Sequence, residues 1–248
     1  MEDWQAYILL LIAGTIAGTI NVIAGGGSFL TLPLLIFLGF PASVANGTNR
    51  VAILLQNTAA IWSFNKEKVL DWKSIWWASV PAGLGSIIGS VLTFWIDDAD
   101  FEKILAVLMV VITLWSLWNP SSISGKLSKN SSRSLLVLGF SFFLIGIYGG
   151  FIQAGVGFFL LAATSMAGLN LVKGNAVKVL TGQVFTIISL VIFAMQGKVV
   201  LEAGLILGVG TMTGGLVGAR LTVRKGDAWG RRFVTATIII FAVLLWVK

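Results

Sequence analysis

Apolar runs approaching the length of a membrane span recur along the whole chain, at residues 7–23, 52–64, 75–96, 104–118, 135–152, 180–195, 201–221 and 233–247. A helix needs about 20 residues to cross ~30 Å of hydrocarbon, and so many runs cannot all be buried helices of a water-soluble core. Polar and apolar residues do not alternate within them, as they would in the strands of a membrane barrel. The pattern predicts an all-α polytopic membrane protein. Two shorter apolar stretches, 29–38 and 158–167, follow glycine-rich segments. At 1.5 Å per residue each would be only about 15 Å long, so each is read as half of a re-entrant or broken-helix element.

Composition agrees: 57% of the 248 residues are apolar and 11% charged, against roughly 25% charged in a soluble domain. The 29 glycines suit membrane helices, where small residues let backbones approach. Trp4, Trp72, Trp76, Trp77, Trp95, Trp115, Trp118, Trp229 and Trp246 fall near the predicted membrane interfaces, where their amphipathic rings are favoured. Cysteine and histidine are absent. That excludes disulfides and thiolate sites and removes the commonest metal ligand and proton shuttle, so neither a metal nor a cofactor is expected. The net charge of +7 could suit nucleic acid, but the basic residues sit in short loops between apolar runs, where they normally signal topology. The lipid bilayer is the expected partner. Met1-Glu2-Asp3 offers no basic leader region, so the first run is read as a retained span.

The chain carries an internal repeat. Gly25-Gly26-Gly27-Ser28-Phe29-Leu30 aligns with Gly155-Val156-Gly157-Phe158-Phe159-Leu160 at an offset of 130. After a one-residue gap, Asn46 falls on Asn175, and Pro81, Gly85 and Gly89 fall on Gly210, Gly214 and Gly218. Residues 1–119 and 135–248 are therefore expected to be two transmembrane repeats, joined by a polar linker at 120–134.

Basic residues choose between two topologies. If the chain passes straight through the glycine-rich stretches 24–28 and 153–157, eight spans result, and the loop Lys and Arg divide seven to eight. If it turns back at each stretch, ten segments result. One side then collects Lys66, Lys68, Lys73, Lys126, Lys129, Arg133, Lys173, Arg220, Arg224, Lys225, Arg231 and Arg232, and the other keeps Lys103, Lys198 and Lys248. Twelve against three is the asymmetry the positive-inside rule expects. Both termini then lie outside the cytoplasm. Five segments per repeat force the second repeat to enter the membrane inverted, an architecture common in secondary transporters.

Polar residues at membrane depth concentrate at matching places: Asn21, Ser28, Asn46, Thr48, Asn49, Arg50, Gln56 and Asn57 in the first repeat, and Gln153, Asn175, Lys178, Thr181 and Gln183 in the second. Each costs free energy unless it faces protein or water. The glycine turns, Gly25, Gly26 and Gly27 in one repeat and Gly155 and Gly157 in the other, can bring backbone close to a ligand. The helix that follows each turn presents an N-terminus suited to an anion. The alternative purpose of these glycines is tight helix packing. Arg50 and Lys178 fall one residue apart in equivalent helices without a nearby acid, which points to an anionic ligand or to snorkelling. Asn46 and Asn175 could donate to oxyanion oxygens, or cap and bridge helices. With Glu202 assigned to the outer side, no Asp, Glu or His is left within a span. Coupling is then absent, carried by the substrate's own protonation, or mediated by an ion held on backbone carbonyls. No nucleotide-binding motif is present, which argues against an ATP-driven pump.

The Asn-x3-Gly-Gly-Gly-Ser-Phe-Leu-x-Leu-Pro run at 21–33, the Asn46-x3-Arg50 pair and the Gly149-Gly150-Phe151-Ile152-Gln153-Ala154-Gly155-Val156-Gly157 run resemble the TauE/SafE family, the bacterial sulfite and organosulfonate exporters also called TSUP. The resemblance covers essentially the whole chain. It implies an inner-membrane carrier for sulfite, sulfoacetate or related small anions. Carried over by position, it implies substrate-binding roles for Asn21, the 25–28 turn, residues 46–50, Gln153, Gly155, Gly157, Asn175 and Lys178. The second repeat departs from the pattern, since no proline there matches Pro33. A passive anion channel is the alternative. A membrane-embedded enzyme would need a nucleophile, metal ligands or an acid/base pair that these spans lack, and a purely structural role leaves the matched polar residues unexplained.

Overall fold

The computed structural model describes residues 3–118 and 132–246, whose regular structure is wholly helical: α1 (Asp3–Ile23), α2 (Ser28–Phe37), α3 (Ala42–Lys66), α4 (Trp72–Thr93), α5 (Asp98–Trp118), α6 (Ser132–Phe151), α7 (Val156–Met166), α8 (Leu171–Met195) and α9 (Leu201–Trp246). Helix α9 is two helices joined at Gly226, whose φ of 71° and ψ of −171° leave the helical region. Counted so, there are ten segments. By length and composition, Trp4–Ile23, Trp72–Thr93, Leu171–Met195 and Leu201–Gly226 can each cross a membrane.

Helices α3 and α8 begin ten and nine residues earlier than the apolar runs 52–64 and 180–195 predict. Hydropathy marks lipid-facing surface, whereas the early turns of these helices carry polar residues that face protein. Arg50 and Lys178, which precede those apolar runs, consequently lie about two turns inside their helices. Helix α6 starts at Ser132, so the last three residues of the expected 120–134 linker are helical. The rest of that linker, with Lys126 and Lys129, lies outside the described residues, as do Lys248 and the side chains of Trp115, Trp118 and Trp246. Trp4, Trp72, Trp76, Trp77 and Trp95 are exposed on the surface, and Trp229 rests on Phe233 at 5.2 Å between rings.

Specific contacts define the two ends of the bundle. At one end the Tyr7 hydroxyl donates to the Glu202 carboxylate. The Ser43 N–H donates to Asp98 at 2.7 Å, and the Val200 N–H to the Thr48 hydroxyl at 2.9 Å. Leu38 and Phe40 pack there with Leu10 and Val200. At the other end Leu70, Leu138 and Leu169 share an apolar cluster. The α1–α2 hairpin thus enters from the first end and the α6–α7 hairpin from the second.

Glycines set the helix spacing. Helix α1 packs along α9, and α6 along α4. A Cβ on Gly85 or Gly89 of α4 would lie 2.1 or 1.9 Å from the Phe143 or Ile147 carbonyl oxygen of α6. On Gly214 or Gly218 of α9 it would lie 2.2 or 2.9 Å from the Thr15 or Thr19 oxygen of α1. A larger residue at these positions would push the helices apart. The repeat-matched glycines therefore hold equivalent interfaces.

Candidate functional site

The two glycine-rich turns touch each other inside the protein. A Cβ on Gly25 would lie 2.3 Å from the Gly157 carbonyl carbon, and one on Gly157 would lie 2.3 Å from the Gly25 Cα. Gly25 (φ 98°) and Gly155 (φ 69°) adopt left-handed conformations that glycine tolerates and larger residues resist. Helix α2 leaves one turn at Ser28 and α7 leaves the other at Val156, with the Phe29 and Phe158 rings 6.0 Å apart across the contact.

Ending α1 at Ile23 and α6 at Phe151 leaves two helix carboxyl ends buried. Their last carbonyls have no intrahelical partner, and burying them unpaired would be costly. Helices α3 and α8 supply the donors. Arg50 Nη1 and Nη2 donate to the carbonyls of Gly149 and Gly150 at 3.1 and 2.6 Å, and Asn46 Nδ2 donates to that of Phe151 at 2.8 Å. In the other half, Lys178 Nζ donates to the carbonyls of Asn21 and Val22 at 2.9 and 2.7 Å, and Asn175 Nδ2 to that of Ile23 at 3.3 Å. Positive charge is favoured at a helix carboxyl end because the backbone dipoles sum to a partial negative charge there. Both cations are buried, Arg50 at 0% and Lys178 at 4% exposure. Neither snorkels, and both take a backbone role that the choice between ligand and snorkelling omitted.

Beside the touching turns lies a small cavity of about 30 Å³, lined by residues of both halves including Asn21, Ser28, Gln56, Asn57, Gln153 and Lys178. It has room for about two water molecules. Asn21 Nδ2 donates to Gln56 at 3.3 Å, and Gln56 Nε2 donates to Asn57 at 3.3 Å. Gln153 Nε2 donates to the Thr186 hydroxyl at 2.6 Å, while its Oε1 is buried without a partner.

The residues to which the sequence assigned a substrate-binding role divide by place. Asn21, Ser28, Gln153, Gly157 and Lys178 line the cavity. Gly25 and Gly155 shape the touching turns, and Gly26 and Gly27 accept the first helical hydrogen bonds of α2 from Phe29 and Leu30. Asn49 braces that helix start, accepting from Thr31 at 2.7 Å. Asn46, Arg50 and Asn175 hold the helix ends, and Thr48 holds the start of α9 instead of facing the cavity. Thr186 was missed. The signal for it was periodic: Asn175, Lys178, Gly182, Thr186 and Ser189 recur every three or four residues of α8, one face of a helix.

Interleaved helical hairpins with buried cations at their broken ends define a polytopic membrane transporter. The chain belongs to the TauE/SafE sulfite exporter family, whose match extends over residues 10–245. It is similar to a probable membrane transporter protein of Haemophilus influenzae, 29% identical over 97% of this chain and 92% of that one. The probable membrane transporter protein YfcA of Escherichia coli K12 is 30% identical over 95% of this chain and 87% of its own length. The probable transporter ORF9 of a Sinorhizobium species is 26% identical over 100% and 94%. No solved structure matches the chain.

Proposed function

We propose that this transporter exports small oxyanions, sulfite or organosulfonates such as sulfoacetate, through the central cavity by alternating access between two inverted repeats. The observation that carries this reading is the polar cavity beside the touching turns, lined from both halves and including Lys178, whose Nζ is bonded to backbone carbonyls and to no carboxylate. The sulfite exporter family supplies the substrate class. Lys178, Asn21, Ser28 and Gln153 contact the anion, and the amino-terminal end of α2 adds partial positive charge beside Ser28. Arg50, Asn46 and Asn175 keep the turns in place.

Inversion is supported by the entry of the two hairpins from opposite ends and by the equivalent pairing of α1 with α9 and α6 with α4. With the basic loops cytoplasmic, the protein sits in the bacterial inner membrane with both termini outside. At about 30 Å³ the cavity is smaller than either anion and must widen to admit one, which a carrier that opens and closes around its site does and a channel with a continuous wet pore need not do.

Uptake of labelled sulfite or sulfoacetate into proteoliposomes tests the reading. Saturable uptake at carrier rates, lost in Lys178→Met, is expected. Unsaturable flux at channel rates, or none with any oxyanion, overturns it. Tags at both termini should be reached from outside the cytoplasm, and a cytoplasmic terminus would break the inverted arrangement.

A further inference from the structure

In transporters built from broken helices, the carboxyl ends of half-helices and nearby unwound carbonyls coordinate the coupling sodium ion. This protein has two such ends, and six carbonyls mark them: Asn21, Val22 and Ile23 on α1, and Gly149, Gly150 and Phe151 on α6. All six accept hydrogen bonds from side chains of α3 or α8. Four of them accept from a cationic group, with Lys178 Nζ at 2.7 and 2.9 Å and the Arg50 guanidinium at 2.6 and 3.1 Å.

We infer that the Lys178 ammonium and the Arg50 guanidinium take the place of a coupling metal cation, so that the carrier works without sodium or potassium. A metal ion seated at either end would have to displace the donors and sit close to a like charge, which is costly in a poorly solvated interior. Among the described residues there is also no group of three or more acidic, histidine or cysteine side chains that could hold a metal ion. Nor is the cation merely inert filling. Lys178 lines the cavity, so one ammonium both closes the end of α1 and meets the substrate.

The inference rests on the oxyanion-carrier reading, and one experiment separates the two. Sulfite uptake is measured in proteoliposomes with sodium, potassium or N-methylglucamine as the only monovalent cation. The wild-type rate is expected to change less than about twofold among the three, because the helix-end carbonyls that would hold a coupling ion are already occupied by side-chain donors. In Lys178→Ala the emptied carbonyls face the cavity. Uptake should fall about tenfold or more, the scale of losing charge-assisted hydrogen bonds, and should partly recover with added ammonium, whose N–H groups match the missing Nζ. Wild-type uptake that stops when sodium and potassium are removed overturns the inference and leaves the carrier standing. Absence of uptake in every salt overturns the carrier reading and the inference together. The wild-type comparison is decisive even if Lys178→Ala does not fold.

Discussion

At the buried end of α6, Arg50 reaches two carbonyls through separate guanidinium nitrogens and lies 4.5 Å from the centre of the Phe193 ring, away from the lining of the cavity. At the buried end of α1, Lys178 reaches two carbonyls through a single nitrogen and forms part of the cavity wall. The helix ends pose the same problem, and the matched asparagines Asn46 and Asn175 answer its third carbonyl in the same way. The cations differ because only one of them meets the cavity. A planar fork with fixed donors suits a permanent clasp, whereas a compact ammonium on a flexible stem can hold carbonyls and still turn toward a ligand. The two halves share one arrangement and differ in the cation that closes it, Arg50 in one and Lys178 in the other.

The contact the halves share is the most damaging place to break. Gly25→Ala or Gly157→Ala puts a methyl into opposing backbone at 2.3 Å, with an added φ penalty at Gly25. The cost should reach about 4 kcal/mol or more, the sum of overpacking and backbone strain. The expected outcome is loss of a monodisperse peak in size-exclusion chromatography, and normal folding would refute the touching turns.

Removing one cation at a time separates the halves. Arg50→Met leaves the Gly149 and Gly150 carbonyls without the guanidinium and should destabilise by about 3 kcal/mol, as buried acceptors lose charged donors. Lys178→Met should destabilise less, because water in the cavity can reach the Asn21 and Val22 carbonyls, but it should abolish the response to oxyanions. Melting curves with and without sulfite check both, and equal behaviour of the two variants would erase the distinction drawn here.

Exchanging the cations asks for less. Arg50→Lys should keep the fold but lose the two-pronged hold, lowering stability by about 1–2 kcal/mol. Lys178→Arg should retain the cap and weaken transport several-fold by crowding a cavity of about 30 Å³, in line with the cost of overpacking. The smallest effects belong to the matched amides: Asn46→Ala and Asn175→Ala should each cost about 1 kcal/mol, one hydrogen bond. A much larger loss in one would show that the halves differ in more than their cations.

Much of this arrangement was legible in the sequence because it has a simple physical signature. Apolar runs marked the lipid-facing helices, and the glycine-rich stretches marked turns that lie at Gly25 and Gly155. The offset that set Pro81, Gly85 and Gly89 on Gly210, Gly214 and Gly218 picked out glycines that hold equivalent helix interfaces. What sequence left open was the partner of each buried cation. Arg50 and Lys178 have no carboxylate to find because their partners are backbone carbonyls of the other half, 99 to 157 residues away. Any residue type can supply a carbonyl, so no pattern of side chains announces it. The early turns of α3 and α8 were hidden for a related reason: their polar faces look like loop until the hairpins they clasp are in place.

The central claim is that the cavity beside the touching turns binds an oxyanion through Lys178. Its most direct test is the melting temperature of the purified protein across sulfite, sulfate, sulfonates, carboxylates and halides, since a ligand of the folded state raises it by mass action. The account predicts a concentration-dependent rise for sulfite or sulfonates that disappears in Lys178→Met. It predicts that the rise persists, from a lower starting temperature, in Arg50→Lys. No rise with any anion in folded wild-type protein, or an undiminished rise in Lys178→Met, would contradict it.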